Sequence, residues 1–242
     1  MKGTTHPRVP LPFPDRREAG RLLGTQLREQ LGAQLEGPAG TQFQEQPGAG
    51  MREPPLVLAL PRGGVAVAAE VARILGAPLD LLVTRKIGYP PRPELGLGAI
   101  AEGGEPVYDH RLLATIGLEP ADLAATADRE SDELARRVRV YRGGRLPPEV
   151  SGRLVVLVDD GLATGGTARA ALRAIRARGA ARTILAVPVA PRAAVTPMMR
   201  EADDVVVLAS PADFRSVGEW YASFGQLTDA DVLSLLAQTR GT

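Results

Sequence analysis

The chain has 242 residues, of which 44% are hydrophobic and 24% charged, and it contains no cysteine. No run approaches the roughly 18 consecutive apolar residues of a membrane span, and a formal net charge of +1 gives no general attraction for nucleic acid or anionic lipid. With no cysteine for disulfides, and no apolar signal-peptide core in the Pro-rich residues 1–14, we expect a cytoplasmic protein without membrane or nucleic-acid partners.

The first quarter of the chain predicts a helix, a linker and a strand-turn-helix unit. Apolar residues at helical spacing over residues 15–35 predict an amphipathic helix. Residues 37–55 are rich in Gly, Pro and Gln without periodicity, which is typical of a flexible linker or insertion. A strand at 56–60, a tight turn at 61–64 and a helix at 65–75 follow.

The middle of the chain predicts a second strand, a loop and another helix. An apolar run at 79–84 ends at Arg85 and Lys86, and the Gly- and Pro-rich residues 88–104 have the composition of a mobile functional loop. A helix is expected to begin at Pro120, the residue type favoured at the first helical position.

The C-terminal half alternates strands and helices. Short apolar strands that alternate with helices indicate a mostly parallel sheet covered on both faces, with ligands at the carboxyl ends of the strands. The predicted elements are a strand at 154–158, a helix at 167–178, a strand at 183–189, a helix at 193–201 and a strand at 205–208.

The clearest chemical signal lies at residues 155–167. Asp159 and Asp160 (the paired carboxylates) emerge from the strand where a Gly-rich turn begins, and carboxylates there suit vicinal hydroxyls. The turn opens a helix whose free amides and dipole favour a phosphate. A diol and a phosphate together describe a ribose 5-phosphate; the alternative is a pair of solvated turn residues beside a simple connection. The predicted phosphate-binding residues are Ala163, Thr164, Gly165, Gly166 and Thr167.

Residues 158–167, Val-Asp-Asp-Gly-Leu-Ala-Thr-Gly-Gly-Thr, resemble the diphosphoribosyl-binding signature of type I phosphoribosyltransferases. The resemblance implies an α/β fold with a mostly parallel sheet flanked by helices and a small helical hood or insertion. It places Asp159 and Asp160 on the ribose hydroxyls. Gly161 departs from the bulky apolar residue usual there. Ala163 replaces the Asp of the family's 6-oxopurine salvage enzymes, which argues against hypoxanthine or guanine as acceptor.

The turn Pro-Arg-Gly-Gly at residues 61–64 is similar to the family's pyrophosphate loop. The resemblance assigns Arg62, Gly63 and Gly64 to the pyrophosphate, with Arg62 also a catalytic candidate because its fork of donors matches phosphate. A simple turn with a solvent-facing Arg is the alternative.

Arg85 and Lys86 follow the second strand, where the family carries a basic residue directed at the pyrophosphate. Lys86 is the second catalytic candidate, since Lys2 and Lys86 are the only lysines among 29 basic residues. A surface lysine is the alternative.

Two further regions have weaker indications. Residues 88–104 resemble the family's flexible catalytic loop, in which Tyr89, Arg92 and Glu102 are candidates without distinctive spacing. Phe214 and Trp220, in an aromatic cluster after the last strand, are candidates for stacking on the acceptor; a core or homodimer contact is the alternative.

The resemblance implies transfer of the phosphoribosyl group from 5-phosphoribosyl 1-pyrophosphate to a nitrogenous acceptor, expected to be a nucleobase, with release of pyrophosphate. Mg²⁺ is the expected cofactor, held mainly by substrate oxygens, because His6 and His110 are isolated and no dedicated metal ligands are evident. A non-enzymatic sensor of the ribosyl diphosphate, and a nucleotide hydrolase or phosphorylase, stay open as alternatives.

Residues 13–20 and 217–224 resemble an uncharacterised bacterial branch of the family, which names no acceptor. The expected organisation is an N-terminal helical segment at 1–36, the linker at 37–55, and a phosphoribosyltransferase-like domain at 56–242 with a helical insertion at 105–150.

Overall fold

Two β-sheets organise the part of the chain described by this computed structural model, which comprises residues 9–36 and 54–240. His6 and nearly all of the predicted linker at 37–55 lie outside the described residues. The strands are β1 (Leu56–Ala59), β2 (Leu79–Leu81), β3 (Thr84–Tyr89), β4 (Arg92–Ala101), β5 (Val107–Tyr108), β6 (Leu154–Val158), β7 (Arg182–Val189) and β8 (Asp204–Ala209). The helices are α1 (Arg16–Glu36), α2 (Gly64–Leu75), α3 (His110–Ile116), α4 (Ala124–Arg142), α5 (Gly166–Ala177), α6 (Arg192–Met198) and α7 (Asp229–Arg240).

The larger sheet has five strands in the order β2-β1-β6-β7-β8, and all its pairs are parallel. The central strands β1 and β6 are buried along their whole length, which explains their uninterrupted apolar sequences. The predicted α/β fold is therefore confirmed. Because β1 and β6 are neighbours, the loops after them meet at one edge of the sheet.

Helices cover both faces of this sheet. Helix α1 packs along α2 so closely that a Cβ at Gly20 would lie 2.5 Å from the carbonyl oxygen of Val67. Leu23 and Leu27 of α1 are fully buried in the same core, so the periodicity that predicted this helix identified its inner face. The opposite face of the sheet is buried beneath residues of α5 and α6.

The smaller sheet corrects the prediction for residues 88–104. These residues are not an irregular loop, because most of them form β4, which pairs antiparallel with β3 and β5. The predicted strand at 79–84 correspondingly ends early, at Leu81 in β2. Glycines that suggested a loop are located where neighbours approach closely: a Cβ at Gly98 would lie 2.7 Å from the carbonyl oxygen of Val107. A separate core of Ile87, Leu97, Leu113, Leu123 and Ala127 joins this sheet to α3 and α4.

A buried ion pair connects the two sheets. Arg142, at the end of α4, donates to both carboxylate oxygens of Glu102 at 2.9 and 2.8 Å and to Asp80 at 2.9 Å. Arg142 is 4% exposed and Glu102 9% exposed. Glu102, a candidate for the catalytic loop, is thus an anchored residue between β4 and β2.

Candidate functional site

The paired carboxylates follow β6 at the carboxyl edge of the parallel sheet. Asp160 donates its backbone N–H to Oδ1 of Asp159 at 2.9 Å, which fixes the direction of the first side chain. The hydroxyl of Tyr221 donates to the backbone oxygen of Asp160. Both carboxylates therefore lie in a defined geometry rather than in a solvated turn.

The turn between β1 and α2 lies directly against these carboxylates. A Cβ built on Gly63 would fall 1.9 Å from Oδ2 of Asp160, and one on Gly64 would lie 2.9 Å from both Cα of Asp159 and the oxygen of Val158. Only glycine permits this approach at either position. The Pro61–Arg62 peptide in this turn is cis. The structure thus brings together two segments nearly 100 residues apart that the sequence assigned to pyrophosphate and ribose.

The predicted phosphate turn leads into α5. Gly165 has a φ of 77°, in the left-handed region that favours glycine, and it precedes the first helical residue, Gly166. The first turn of α5 carries no acidic side chain, so the positive end of the helix dipole is not neutralised locally. Ala163 and Thr164 are exposed. The turn is therefore open to an anion at Ala163 and Thr164, whereas Gly165 is buried and Gly166 and Thr167 are half-buried.

Gly161 has a structural explanation that the sequence did not provide. A Cβ at Gly161 would lie 2.6 Å from Cγ1 of Val217 and 3.1 Å from Cγ1 of Val189. The space that a bulky apolar residue would take at this position is filled by Val217, from the segment that follows β8.

Arg16 is the functional-site residue that the sequence reasoning missed. This first residue of α1 contacts Oδ2 of Asp160 through Nε at 2.8 Å, and it donates to the carbonyl oxygen of Gly225 at 2.7 Å. Its guanidinium carbon lies 3.8 Å from the ring centroid of Phe224. Arg16 falls within residues 13–20, the segment that resembles the bacterial branch, but nothing local links it to Asp160, which is 144 residues away in the sequence.

Burial dominates the electrostatics of the paired carboxylates. It raises the pKa of Asp159 well above its usual range, and the charge of Asp160 raises it further. Burial also raises the pKa of Asp160, while the hydrogen bond and charge of Arg16 act in the opposite direction. The pKa of Tyr221 is raised by burial and then by Asp160.

Arg62, in the turn after β1, is exposed and faces the start of α7. Its Nη1 lies 3.9 Å from Oδ1 of Asp229, the oxygen that accepts a 2.6 Å hydrogen bond from the hydroxyl of Tyr141. Burial, reinforced by this hydrogen bond, raises the pKa of Tyr141 to about 12. The long Arg62 contact leaves its guanidinium accessible to an anion.

The two basic residues of β3 have different surroundings. Arg85 is half-buried and pairs with Glu130 of α4 at 2.7 Å. Lys86 is exposed, and its Cε lies 2.5 Å from the position that a Cβ on Gly96 would take. Arg85 therefore already has a counter-charge in this structure.

The aromatic candidates for the acceptor lie against the core. Phe214 and Trp220 stack on each other with centroids 6.4 Å apart and an interplanar angle of 14°, and both are half-buried beside the main core. Within the described residues, the buried indole N–H of Trp220 has no hydrogen-bond partner.

The described residues 9–36 and 54–240 include neither a metal-binding cluster nor a membrane-spanning helix. No group of three or more His, Cys, Asp or Glu side chains is arranged to hold a metal ion in this part of the chain. None of the helices described there has the length and apolar character needed to cross a membrane.

The geometry defines a class of protein: an α/β protein in which a glycine turn, two carboxylates and a helix amino end converge at one sheet edge. That convergence suits a phosphorylated sugar. Residues 43–219 match the sequence profile of the family described as Phosphoribosyl transferase domain, and the chain belongs to this family.

Related proteins agree with this assignment. Two curated relatives from strains of Mycobacterium tuberculosis are 43% identical to this chain over 224 residues. Both carry the name phosphoribosyl transferase as a provisional name. The match covers 93% of this chain and 46% of each relative, so the chain spans about half their length. The crystal structure of the protein TT1426 from Thermus thermophilus is 42% identical, with a TM-score of 0.72 over 93% of this chain and 98% of that one.

Proposed function

We propose that the protein binds 5-phosphoribosyl 1-pyrophosphate and transfers its phosphoribosyl group to a nitrogenous acceptor, with release of pyrophosphate. The observation that carries the proposal is the packing of Gly63 and Gly64 directly against Asp160 and Asp159. The proposal is supported because the turn expected to bind pyrophosphate lies next to the carboxylates expected to bind the ribose diol, an adjacency that one bound donor molecule would need.

Each part of the donor has a candidate partner. The open amino end of α5, with Thr164 and Thr167, binds the 5-phosphate through backbone amides and hydroxyls. The paired carboxylates accept hydrogen bonds from the ribose hydroxyls. Arg62 and the amides of its turn bind the diphosphate, with Lys86 as a second cation.

The reaction is a displacement at the anomeric carbon. The acceptor nitrogen forms a bond to C1 as the bond from C1 to the diphosphate oxygen breaks, and the electron pair leaves with pyrophosphate. The proton on the acceptor nitrogen passes to solvent. The protein's contribution is to position the donor and to stabilise the negative charge that develops on the leaving diphosphate.

The side chains around this site fit magnesium only if the ion is bound mainly by the substrate. The described residues hold no cluster of three metal-ligating side chains, so none of them forms a dedicated site for the ion. Such an ion, carried by diphosphate oxygens and water, would neutralise charge on the leaving group.

Ala163 limits the chemical class of the acceptor. An exposed Ala at this position offers no carboxylate to take a proton from a purine ring nitrogen. We propose an acceptor other than a 6-oxopurine, bound near the half-buried pair of Phe214 and Trp220, where a flat ring would find an aromatic edge and an unpaired indole donor.

The test is a pyrophosphate-release assay with Mg²⁺, the diphosphate donor and a panel of nitrogenous bases and amines. Acceptor-dependent release supports the proposal. Release that never depends on an added acceptor indicates a hydrolase and overturns it; tight donor binding without release for any acceptor indicates a sensor.

Binding of the same donor by two matched double variants tests the proposed diol site. Replacing Asp159 and Asp160 together by Asn is expected to weaken donor binding by at least about tenfold, because two charged acceptors for the ribose hydroxyls are lost. Replacing Asp128 and Asp132 by Asn is the control, since both lie exposed on α4. Equal donor affinity in the two double variants would contradict the placement of the diol.

A further inference from the structure

We infer that Arg16 is a positioning residue for the donor site: it keeps the Asp160 carboxylate ionised and oriented toward the ribose diol. The inference depends on the proposed function, since it concerns the same carboxylate. Arg16 lies outside residues 43–219, the range that matches the family, so nothing in that match assigns it a role.

The contact between Arg16 and Asp160 is enclosed. The two side chains are 11% and 15% exposed, and Nε of Arg16 lies 2.8 Å from Oδ2 of Asp160. Gly63 covers the same oxygen, which lies 1.9 Å from the ideal Cβ position of that glycine. Oδ2 is held by Arg16 and lies nearest the turn, whereas Oδ1 is 3.2 Å from the same Cβ position, so we assign the ligand hydroxyl to Oδ1.

Arg16 is itself fixed by the segment that follows β8. Its Nη1 donates to Gly225, and its guanidinium lies over the face of Phe224 at 3.8 Å, a distance typical of a cation–π contact. Tyr221 of the same segment binds the backbone of Asp160. The orientation of Asp160 is therefore set by residues from both flanks of the family match.

The charge balance explains why the site needs this arginine. The ionisable groups that face Asp160 are Asp159 beside it, Arg16 from α1 and Tyr221 from the segment after β8. Burial raises the pKa of both carboxyls, and Arg16 is the cation that opposes this effect at Asp160. Arg62 faces Asp229 instead. Without Arg16, the two neighbouring carboxyls would retain a shared proton to higher pH, and fewer lone pairs would accept the ribose hydroxyls.

A purely structural role predicts a different behaviour. If Arg16 only tied α1 to residues 221–225, its loss would weaken donor binding by the same factor at every pH. If Arg16 keeps Asp160 ionised, its loss weakens binding most at low pH, and affinity recovers as pH rises and the carboxyls lose their proton.

The experiment compares Arg16→Met, Arg16→Lys and the control Arg17→Met in the full chain. Arg17 is the next residue of α1, with a side chain 79% exposed and directed at Glu70. Two quantities are measured from about pH 5.5 to 9, above the usual carboxyl pKa because both pKa values are raised: donor affinity by calorimetry with Mg²⁺, and the titration of the Asp159 and Asp160 carboxyl carbons by NMR without ligand.

For Arg16→Met we expect a donor affinity about tenfold or more lower at pH 7, partly restored at pH 9, and carboxyl titration moved to higher pH. Arg16→Lys should keep the titration closer to that of the parent protein because it retains the charge, and Arg17→Met should change neither quantity.

Several results would overturn the inference: unchanged carboxyl titration in Arg16→Met, an affinity loss equal at all pH values, or an affinity that does not fall. If the parent protein binds no donor, the proposed function fails, but the carboxyl titration still decides the role of Arg16. If Arg16→Met does not fold, Phe224→Leu replaces it, with a smaller shift expected in the same direction; no shift would count against the inference.

Discussion

Gly63→Ala perturbs the central contact of the site without straining the backbone. Gly63 has φ −58° and ψ −42°, which any residue adopts, so the only obstacle is the new methyl group. That Cβ would lie 1.9 Å from Oδ2 of Asp160, and real Cβ contacts essentially never fall below 3.0 Å. The carboxylate must therefore move by about 1.1 Å, the difference between these distances.

The expected loss of stability follows from the hydrogen bond that this movement of the carboxylate breaks. Moving Oδ2 disrupts its charge-assisted hydrogen bond with Arg16 at 2.8 Å, a type worth about 1.5 to 3 kcal/mol. Replacing Gly by Ala also stabilises the folded state by about 0.4 to 1 kcal/mol, because Ala restricts the unfolded chain. We therefore expect the free energy of unfolding to fall by about 1 to 2 kcal/mol, and donor affinity to fall by about tenfold or more because the diol site is displaced.

Urea unfolding and calorimetric titration with the donor and Mg²⁺ measure the two effects. Gly32→Ala in α1 is the matched control, since a Cβ there meets no atom within 4 Å and a helix interior favours Ala by roughly 0.5 to 1 kcal/mol. If Gly63→Ala gains stability as Gly32→Ala does and binds the donor normally, the close packing of this turn on Asp160 is refuted.

Four further outcomes are expected. Gly64→Ala should lower the free energy of unfolding by about 1 to 3 kcal/mol in urea, because its Cβ meets backbone atoms at 2.9 Å that cannot rotate away; a cost no greater than that of an exposed glycine would contradict this. Glu102→Gln should cost about 3 kcal/mol in the same assay, since Arg142 then keeps only part of its buried counter-charge, and an unchanged denaturation midpoint would argue against the ion pair. The raised pKa of Asp159 means that its stabilising contribution is present below its unfolded pKa and is lost as pH rises towards its raised folded pKa, so the stability of Asp159→Asn relative to the parent protein should increase as pH rises above about 4; a constant difference would show that this carboxyl is not perturbed. Lys86→Ala should weaken binding of pyrophosphate more than that of ribose 5-phosphate in competition assays, and equal losses would remove Lys86 from the pyrophosphate site.

The parts of the site that the sequence predicted are local in the chain. The strand β6, the paired carboxylates and the turn into α5 occupy consecutive residues, so apolar runs, glycines and helix signals locate all three together. Arg16 has the opposite character. By sequence it is an ordinary cation in the first turn of an amphipathic helix, and only the folded chain brings it to Asp160.

The antiparallel sheet was missed for a related reason. Glycine is rare in strands, so residues 88–104 look like a loop when composition alone is considered. In the fold, Gly96 and Gly98 of β4 lie where Lys86 and Val107 cross them closely, which is a property of strand pairing rather than of local sequence.

The backbone bridge at Phe13 has a consequence for how this chain can be divided. Phe13 donates to Trp220 at 2.8 Å and accepts from Ala222 at 2.7 Å, and its ring is completely buried against Tyr221. A fragment trimmed to the family-matching range would lose both partners of this bridge and leave the surface beneath α1 uncovered. The smallest piece able to keep Asp160 in its present orientation therefore extends from Phe13 to at least Gly225.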